Sequence, residues 1–215
     1  MQSMDRISSF IKSYIKDDEG ILGEIYNRAV EMKVPVMRPE TKEVLKTQLI
    51  IKKPKSILEI GTAHGYSALF MSRYIDDDAT ITTLELDEER IKIAAQNIRL
   101  MEKENVINVI AGDAAKTLKE IPDNSFDFAF VDAAKAQYIN YLPDVKRVVS
   151  DGGVIVSDNI LQDGEVLESH FTVDKRNRTI HDRMREYIEA ISFDERLDTA
   201  ILSVADGMAI SINHK

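Results

Sequence analysis

Two acidic residues that follow buried strands are the first candidates for chemistry in this chain of 215 residues. Asp132 ends the apolar run 126–132, and Asp158, followed by Asn159, ends the run 153–158. Ligands bind at the carboxyl ends of the strands in an open parallel sheet, so these side chains should meet in one crevice. Two carboxylates and an amide oxygen are hard ligands that suit Mg²⁺, Mn²⁺ or Ca²⁺. The alternative is that Asp132 serves a cofactor alone while Asp158 and Asn159 form a turn.

A lysine lies on the loop or first helical turn after the first of these acids. Beside a metal and a cofactor, Lys135 could take the proton of an acceptor hydroxyl as a general base. The alternative is a lysine that only faces solvent. Asp132 and Lys135 are therefore the candidate catalytic residues.

A glycine-containing loop after the first buried strand indicates a nucleoside cofactor. Gly61 and Gly65 allow close approach of the backbone to a ligand, although the loop is not the G-x-G-x-x-G dinucleotide fingerprint. Glu85 ends the second strand, where an acid can accept both ribose hydroxyls; alternatively it only caps the next helix. Asp113 follows the third strand and could contact an adenine amino group, a role compatible with being a helix N-cap.

The elements that must position these residues alternate in type from residue 56 onward. Short apolar runs predict strands over 56–60, 80–85, 106–111, 126–132 and 153–158. Amphipathic stretches predict the crossover helices 66–74, 87–101, 114–120 and 137–149. This alternation indicates an α/β fold with a mainly parallel sheet and helices on both faces. The runs 200–205 and 208–212 flank Asp206-Gly207, a hairpin signal, so an antiparallel strand should close the edge.

The start of the chain differs from the rest. Residues 1–52 show helical periodicity, interrupted by Pro35 and Pro39. We predict that residues 1–52 are a helical extension of one domain whose main part is 53–215.

Charge and composition limit the partners and the compartment. The chain has no cysteine, so thiolate zinc sites and thiol nucleophiles are excluded. No apolar run approaches the roughly 20 residues that span a bilayer, and the N-terminus lacks the apolar core of a signal peptide. We therefore expect a cytoplasmic protein that does not contact membranes.

A basic stretch stands out against the formal net charge of −9. Such an acidic chain binds nucleic acid poorly unless basic residues are concentrated locally. The concentration occurs in residues 174–185, which contain Lys175, Arg176, Arg178, Arg183 and Arg185. It follows a segment, 161–173, that we predict to be a flexible loop. A helix here could hold the phosphates of a nucleic acid; the alternative is a solvated helix face with i,i+4 ion pairs.

Taken together, the motifs resemble the cation-dependent class I O-methyltransferases, which include the catechol and caffeoyl-CoA enzymes. The resemblance runs from about Val34 to the C-terminus and rests on ILEIGTAHGYSA, TLELDEER, FAFVDAAKAQY, GGVIVSDN and VADGMAIS. The PVM segment near residue 36 and the basic stretch resemble in particular the bacterial branch that methylates tRNA 5-hydroxyuridine to 5-methoxyuridine.

The resemblance implies a Rossmann-like sheet of seven strands with the last one antiparallel. It implies S-adenosylmethionine as cofactor, Mg²⁺ on Asp132, Asp158 and Asn159, and Lys135 as the base. It also implies a homodimer with the N-terminal helices at the mouth of the active site. The residues that it assigns to S-adenosylmethionine are Met37, Glu59, Gly61, Tyr66, Ser67, Glu85, Asp113, Ala114 and Asp132.

The chain departs from the animal catechol enzyme at two points. Ala133 and Ala134 stand where that enzyme has aromatic residues, and the chain has no tryptophan. Catechol itself is therefore a doubtful acceptor, although a small phenolic or catechol-like acceptor remains the alternative to tRNA. A nicotinamide-dependent oxidoreductase and a non-catalytic binding protein are further alternatives. The four histidines, His64, His170, His181 and His214, show no metal-ligand spacing.

Overall fold

Seven strands form a single sheet in the computed structural model, which describes residues 2–215, with side chains from residue 6 onward. The strands are β1 Ser56–Ile60, β2 Thr80–Glu85, β3 Ile107–Ala111, β4 Phe126–Val131, β5 Val149–Asp158, β6 Leu197–Leu202 and β7 Met208–Asn213. Their order across the sheet is β3-β2-β1-β4-β5-β7-β6. The first five strands pair in parallel, and β7 runs antiparallel to both β5 and β6. The predicted Rossmann-like fold with an antiparallel last strand is confirmed.

Helices account for most of the remaining chain. They are α1 Gln2–Lys12, α2 Gly20–Glu31, α3 Pro39–Lys52, α4 Tyr66–Met71, α5 Glu88–Leu100, α6 Ala114–Glu120, α7 Tyr138–Val148 and α8 Arg178–Phe193. Two 3-10 helices, Lys135–Gln137 and Gln162–Leu167, follow β4 and β5. Asp87 caps α5 as its sequence position indicates, since its carboxylate accepts the backbone N–H groups of Glu89 and Arg90.

Two separate apolar cores lie on the two faces of the sheet. Leu58 and Ala129 pack with residues of α6, α7 and α8 on one face, whereas Ile57 and Phe128 pack with residues of α2, α3 and α4 on the other. Successive strand residues point to opposite faces, so a strand that is buried on both sides must be apolar throughout. This is why the central strands β1 and β4 are predominantly apolar, with Glu59 and Asp127 as their internal polar residues.

The N-terminal helices are confirmed as elements, and α3 reaches the carboxyl edge of the sheet. Pro39 begins α3, a position where its missing N–H costs nothing. Two residues on, Thr41 is fully buried and donates a hydrogen bond to Asp158 at the end of β5. The helical extension thus supplies a side chain to the end of the sheet where the candidate residues lie.

The segment after β5 is more structured than the predicted loop 161–173. It contains the 3-10 helix Gln162–Leu167, within which Asp163 and Gly164 take left-handed backbone angles. Within residues 2–215, none of the helices has both the length and the apolar character needed to cross a bilayer.

Candidate active site

The turn after β1 passes in close contact with the end of β4. Gly61 has a φ of +107°, and a Cβ placed there would lie 2.0 Å from the carbonyl oxygen of Asp132. Its N–H donates to the carbonyl of Leu84 on the neighbouring strand at 3.0 Å. Both the backbone angle and the contact require glycine, so the loop draws three strand ends together.

A cavity of about 620 Å³ opens along this edge of the sheet, a size typical of small-molecule sites. All but one of the residues that the resemblance assigns to the cofactor line it. These are Met37, Gly61, Tyr66, Ser67, Glu85, Asp113, Ala114 and Asp132. Lys135 and Asn159 line it as well, whereas Val36, Arg90 and Tyr141 are lining residues that our sequence reasoning missed.

The two acids predicted to hold a nucleoside are both anchored by backbone groups. Glu85 accepts the N–H of Ala63 at 2.8 Å through Oε2 and the N–H groups of Leu86 and Asp87 through Oε1. Asp113 caps α6 by accepting the N–H of Ala115 at 3.0 Å. A carboxylate offers about four lone-pair positions, so each can also accept hydrogen bonds from a ligand. The cap and the predicted ligand contact of Asp113 are therefore compatible.

Glu59 is the exception among the predicted cofactor residues. The structure places its side chain behind the cavity wall, fully buried in the sheet, where Thr83 donates to Oε2 at 2.5 Å. Burial raises the pKa of Glu59 to about 7, while hydrogen bonds from Ser67 and Thr83 act in the opposite direction. Glu59 therefore does not line the cavity, so the structure does not show the direct contact with a cofactor that the resemblance implies. Its Oε1 has no hydrogen-bond partner among the described residues.

The two candidate metal ligands lie on neighbouring strand ends in matching register. Val131 of β4 pairs with Ser157 of β5, so Asp132 and Asp158 are the next residues along both strands. Oδ1 of Asp158 accepts Thr41 at 3.2 Å and the N–H of Asn159 at 2.8 Å. Its Oδ2 is buried and has no hydrogen-bond partner in the described part of the chain.

The electrostatics of this pair favour a bound cation. Burial first, and the charge of Asp132 second, raise the pKa of Asp158. Burial also raises the pKa of Asp132, with Glu59 adding to it and Lys135 opposing it. A buried carboxylate next to a half-buried one favours a shared proton or a cation, because their charges repel. The unpartnered oxygen of Asp158, Asp132 and the amide of Asn159 form an all-oxygen donor set that fits Mg²⁺.

Lys135 is held by an acid that our sequence reasoning took only as a turn residue. Asp206, in the turn between β6 and β7, is buried, and its Oδ2 lies 3.6 Å from Nζ of Lys135 and 4.0 Å from Arg38. Its Oδ1 accepts the N–H of Asp163, whose carboxylate in turn pairs with Arg38 at 2.7 Å. Asp206 belongs to the motif VADGMAIS, but its place in the predicted hairpin turn accounted for it, so no further role was assigned.

A buried tyrosine holds the two acid-bearing strand ends together. The hydroxyl of Tyr138, at the start of α7, lies 3.1 Å from the carbonyls of both Val131 and Asp158. It also accepts the N–H of Ala133 at 3.3 Å. Tyr138 therefore fixes the spacing of β4 and β5 at the candidate metal site, although no sequence pattern distinguished it from a core residue.

The basic stretch divides into two groups in the structure. Arg178 donates to the carbonyls of Val173 and Phe171, and Arg185 donates to the carbonyl of Val166, so both hold the segment after β5. Lys175, Arg176 and Arg183 are exposed, and Arg185 is exposed as well in spite of its contact with Val166. Arg176 lies 3.9 Å from Asp174, and Arg183 lies 3.7 Å from Glu186.

The spacing of the histidines along the sequence indicated no metal site, yet the structure brings two of them to one aspartate. His170 and His181 both approach Asp182, because the segment before α8 folds back onto the first turns of that helix. Sequence spacing does not show this contact, since the intervening chain is irregular.

The fold and the site together define an α/β enzyme whose ligands lie at the carboxyl edge of its sheet. Residues 12–214 match the O-methyltransferase family. The chain is 33% identical over 177 residues to the caffeoyl-CoA O-methyltransferase of Stellaria longipes, covering 79% of this chain and 73% of that protein. It is 27% identical over 221 residues to the catechol O-methyltransferase of Niastella koreensis, with 98% and 96% coverage.

A solved structure shows the same fold. The SAH-bound methyltransferase PaMTH1 of Podospora anserina superposes with a TM-score of 0.86 at 24% identity, covering 100% of this chain and 96% of that one. This chain belongs to the O-methyltransferase family. Membership confirms the predicted enzyme class, a S-adenosylmethionine-dependent O-methyltransferase, over the oxidoreductase alternative.

Proposed function

We propose that this protein is a Mg²⁺-dependent O-methyltransferase whose acceptor is 5-hydroxyuridine in tRNA. The observation that carries the metal dependence is the buried oxygen of Asp158 that has no partner among the described residues. Its neighbours Asp132 and Asn159 line the cofactor cavity, whereas Asp158 itself lies behind them. The acceptor rests on the resemblance to the tRNA-modifying branch and on the exposed basic residues next to the site.

The cavity supplies the groups that S-adenosylmethionine needs. Glu85, Asp113, Met37 and Tyr66 all line the cavity. In this proposal Glu85 accepts the ribose hydroxyls, Asp113 contacts the adenine, and Met37 and Tyr66 enclose the ligand. The cofactor supplies an activated methyl group carried on a sulfonium. SAH occupies the related structures from Podospora anserina and Bacillus cereus, which supports this assignment.

Asp132, Asp158 and Asn159 would hold the cation. When bound by these residues, a hard divalent ion would supply Lewis-acid chemistry, which would lower the pKa of an acceptor hydroxyl and orient it. Tyr138 and Thr41 keep the two strand ends and the Asp158 carboxylate in place before any ligand arrives. This preorganisation matters because rate depends on holding the reacting atoms at attack distance.

Lys135 is the residue placed to receive the proton of the acceptor hydroxyl. Its side chain lines the same cavity as Asp132 and Asn159, and Asp206 holds its amino group from behind. The same buried acid reaches Arg38 and the N–H of Asp163, so the base is tied to the segment that follows β5.

The tRNA acceptor is supported by the position of exposed basic side chains. The chain as a whole is acidic, but Lys175, Arg176 and Arg183 are exposed on and just before α8. Their phosphate contacts would position a tRNA loop without reading its sequence, and the unpaired base would enter the cavity.

Direct methylation assays test this acceptor. Tritiated S-adenosylmethionine and tRNA from cells lacking the protein should yield 5-methoxyuridine, identified by mass spectrometry of the nucleosides. The double variant Arg176→Glu/Arg183→Glu should lose most tRNA methylation and keep cofactor binding. Arg178 and Arg185 are left unchanged because they hold the loop. Arg99→Glu, an exposed charge reversal on α5, is the matched control. Equal tRNA methylation by the double variant and the control would contradict the tRNA surface.

A small catechol-like or phenolic acceptor is the second candidate function. It is favoured by the two relatives named above, which are a caffeoyl-CoA and a catechol O-methyltransferase. The same enzyme preparation should therefore be assayed against a catechol and against tRNA at equal cofactor concentration. Turnover of the catechol alone, with no 5-methoxyuridine, would replace the first acceptor by the second.

The predicted homodimer remains part of the proposal. Several apolar side chains of α1 and the residues after it are exposed, including Ile7, Phe10 and Tyr14. Light scattering of the purified protein measures the mass directly, and Phe10→Glu should shift it toward the monomer if α1 contributes to the interface. A monomeric wild-type mass would contradict the dimer without affecting the proposed chemistry.

A further inference from the structure

A cluster of two histidines and one aspartate lies where the segment after β5 meets α8. Nδ1 of His170 is 2.8 Å from Oδ1 of Asp182, and Nδ1 of His181 is 3.0 Å from the same oxygen. The three potential ligand atoms all lie within 4.8 Å of one another. None of these residues belongs to the site described above.

The backbone around His181 fixes which of its ring nitrogens carries a proton. His181 is buried, and its Nε2 lies 3.1 Å from the carbonyl oxygen of Glu168. A carbonyl oxygen only accepts hydrogen bonds, so Nε2 must be the protonated nitrogen. In a neutral ring, Nδ1 then presents a lone pair to the carboxylate of Asp182.

Nδ1 of His181 and Oδ1 of Asp182 lie 3.0 Å apart, and their lone pairs would repel unless both interact with a proton or a cation. Either Nδ1 of His181 takes a second proton, or a metal ion binds both groups. The contact between Nε2–H and a backbone carbonyl is the arrangement that orients histidines which ligate metals. The geometry at Glu168 is therefore a second observation, independent of the cluster itself, that points to a metal.

We propose that His170, His181 and Asp182 form a second metal site, which takes a transition ion of the Zn²⁺ or Co²⁺ class. Two imidazole nitrogens and one carboxylate suit these ions rather than Mg²⁺, which prefers oxygen ligands. His170 and Asp182 are 42% and 52% exposed, so solvent can reach the ion and complete its coordination.

A bound ion would fasten the segment 168–171 to α8. The backbone of this segment is already held by Arg178 at Phe171, and Arg185 holds the preceding Val166. The metal would add a cross-link between this segment and the helix that carries the exposed basic residues. It would do so whether or not the oxygen-rich site is filled, because the two sites share no ligand.

Cobalt titration of the protein without a histidine tag tests the proposal. Four-coordinate Co²⁺ absorbs visible light far more strongly than octahedral Co²⁺, which is the geometry that all-oxygen sites favour, so the spectrum distinguishes the two sites. We expect one equivalent of such Co²⁺ in the wild type and also in Asp158→Asn, which removes a ligand of the other site. The exposed variants His170→Ala and Asp182→Asn should weaken this binding at least about tenfold, since each removes one ligand.

The matched control is His214→Ala. His214 is similarly exposed and also pairs with an aspartate, Asp198, at 2.8 Å, but it has no second histidine beside it. It should leave the cobalt spectrum and affinity unchanged. Thermal melts without metal establish that each variant is folded.

Two results would overturn the proposal. One is an unchanged cobalt spectrum and affinity in both His170→Ala and Asp182→Asn. The other is a ¹⁵N NMR spectrum in which His181 carries protons on both nitrogens and does not respond to Zn²⁺ or Co²⁺. That result would show that a proton, and not a metal ion, joins Nδ1 of His181 to Asp182. Methyl transfer is not the readout, so failure here leaves the proposed function untouched.

Discussion

Nζ of Lys135 lies 3.6 Å from Oδ2 of Asp206, a buried acid that is distant from it in the sequence. The lysine comes from the 3-10 helix after β4, and the aspartate comes from the turn between β6 and β7. A lysine side chain loses considerable rotamer freedom when it is fixed, so a single flexible base would be a poor catalyst without an anchor. Asp206 is thus the residue that positions the proposed base.

Replacing Asp206 by asparagine should therefore lower kcat by about tenfold or more, as expected when a general base is misplaced. The KM for S-adenosylmethionine should change little, because the residues that line the cofactor part of the cavity remain in place. Steady-state kinetics measure both quantities.

Asp198→Asn is the control for this change, because Asp198 is an exposed acid on β6 that pairs with His214. It should behave as the wild type. A kcat within twofold of the wild type in Asp206→Asn would show that Asp206 has only a structural role.

Removing one of the paired carboxylates should remove both activity and the response to metal. In Asp158→Asn, one ligand loses its charge, and we expect kcat to fall at least about a hundredfold because the cation can no longer be held. Mg²⁺ should raise the melting temperature of the wild type and leave that of the variant unchanged. Scanning calorimetry with Mg²⁺ or with a chelator measures the second effect without any acceptor.

Asp77→Asn, in the exposed turn before β2, is the matched control for the loss of one carboxylate. It should retain both the activity and the Mg²⁺-dependent rise in melting temperature. Full turnover of the wild type in excess chelator would contradict a catalytic metal.

The buried carboxyl of Glu59 should make stability depend on pH in a defined window. Its pKa is about 7 in the folded state against an ordinary value of 4.5. Between these values the folded state retains a proton that the unfolded state releases, so the free energy of unfolding falls as pH rises through the window. Because of Glu59, the free energy of unfolding should be lower at pH 7.5 than below pH 4.5 by on the order of 3 kcal/mol. Glu59→Gln should remove this contribution.

Chemical denaturation at pH 4.5, 6 and 7.5 tests this expectation. Asp132 and Asp158, whose pKa values are also raised, give the same sign of slope and remain in the variant, so the slope should become flatter without vanishing. Glu120→Gln, at the exposed end of α6, is the control and should keep the wild-type slope. Identical slopes in Glu59→Gln and the wild type would refute the assignment.

A pair of glycine substitutions separates the cost of a close contact from the cost of a backbone angle. In Gly61→Ala the new Cβ would lie 2.0 Å from the carbonyl oxygen of Asp132, at a φ of +107°. Gly152→Ala also has a positive φ, +66°, but has no other atom within 4 Å of its Cβ. We expect Gly152→Ala to cost about 1 kcal/mol of unfolding free energy and Gly61→Ala clearly more, with loss of cofactor affinity.

Equilibrium denaturation and cofactor titration of both variants check this difference. Equal stability of the two variants, with cofactor affinity retained in Gly61→Ala, would mean that the turn after β1 can move away from β4.

The elements and their order could be predicted because the information for them is local. Alternating apolar and amphipathic stretches reproduced β1 and α6 with the bounds that the structure has, and β5 differs only by its earlier start at Val149. The rule that ligands bind at carboxyl ends of parallel strands then placed Glu85 and Asp132 at one cavity. The 3-10 helix within the segment 161–173 could not be predicted in this way, because it has no repeating apolar face.

The sequence alone therefore determined the sheet, its crossovers and the acids at its carboxyl edge, since periodicity and strand ends are properties of contiguous residues. Only the tertiary structure decided that Asp206 holds Lys135, that Glu59 turns behind the cavity wall, and that His170 meets Asp182. Each of these depends on how loops that are separate in the chain come together and on which rotamer each side chain takes. Packing between distant segments sets both, and no local pattern of residue types records it.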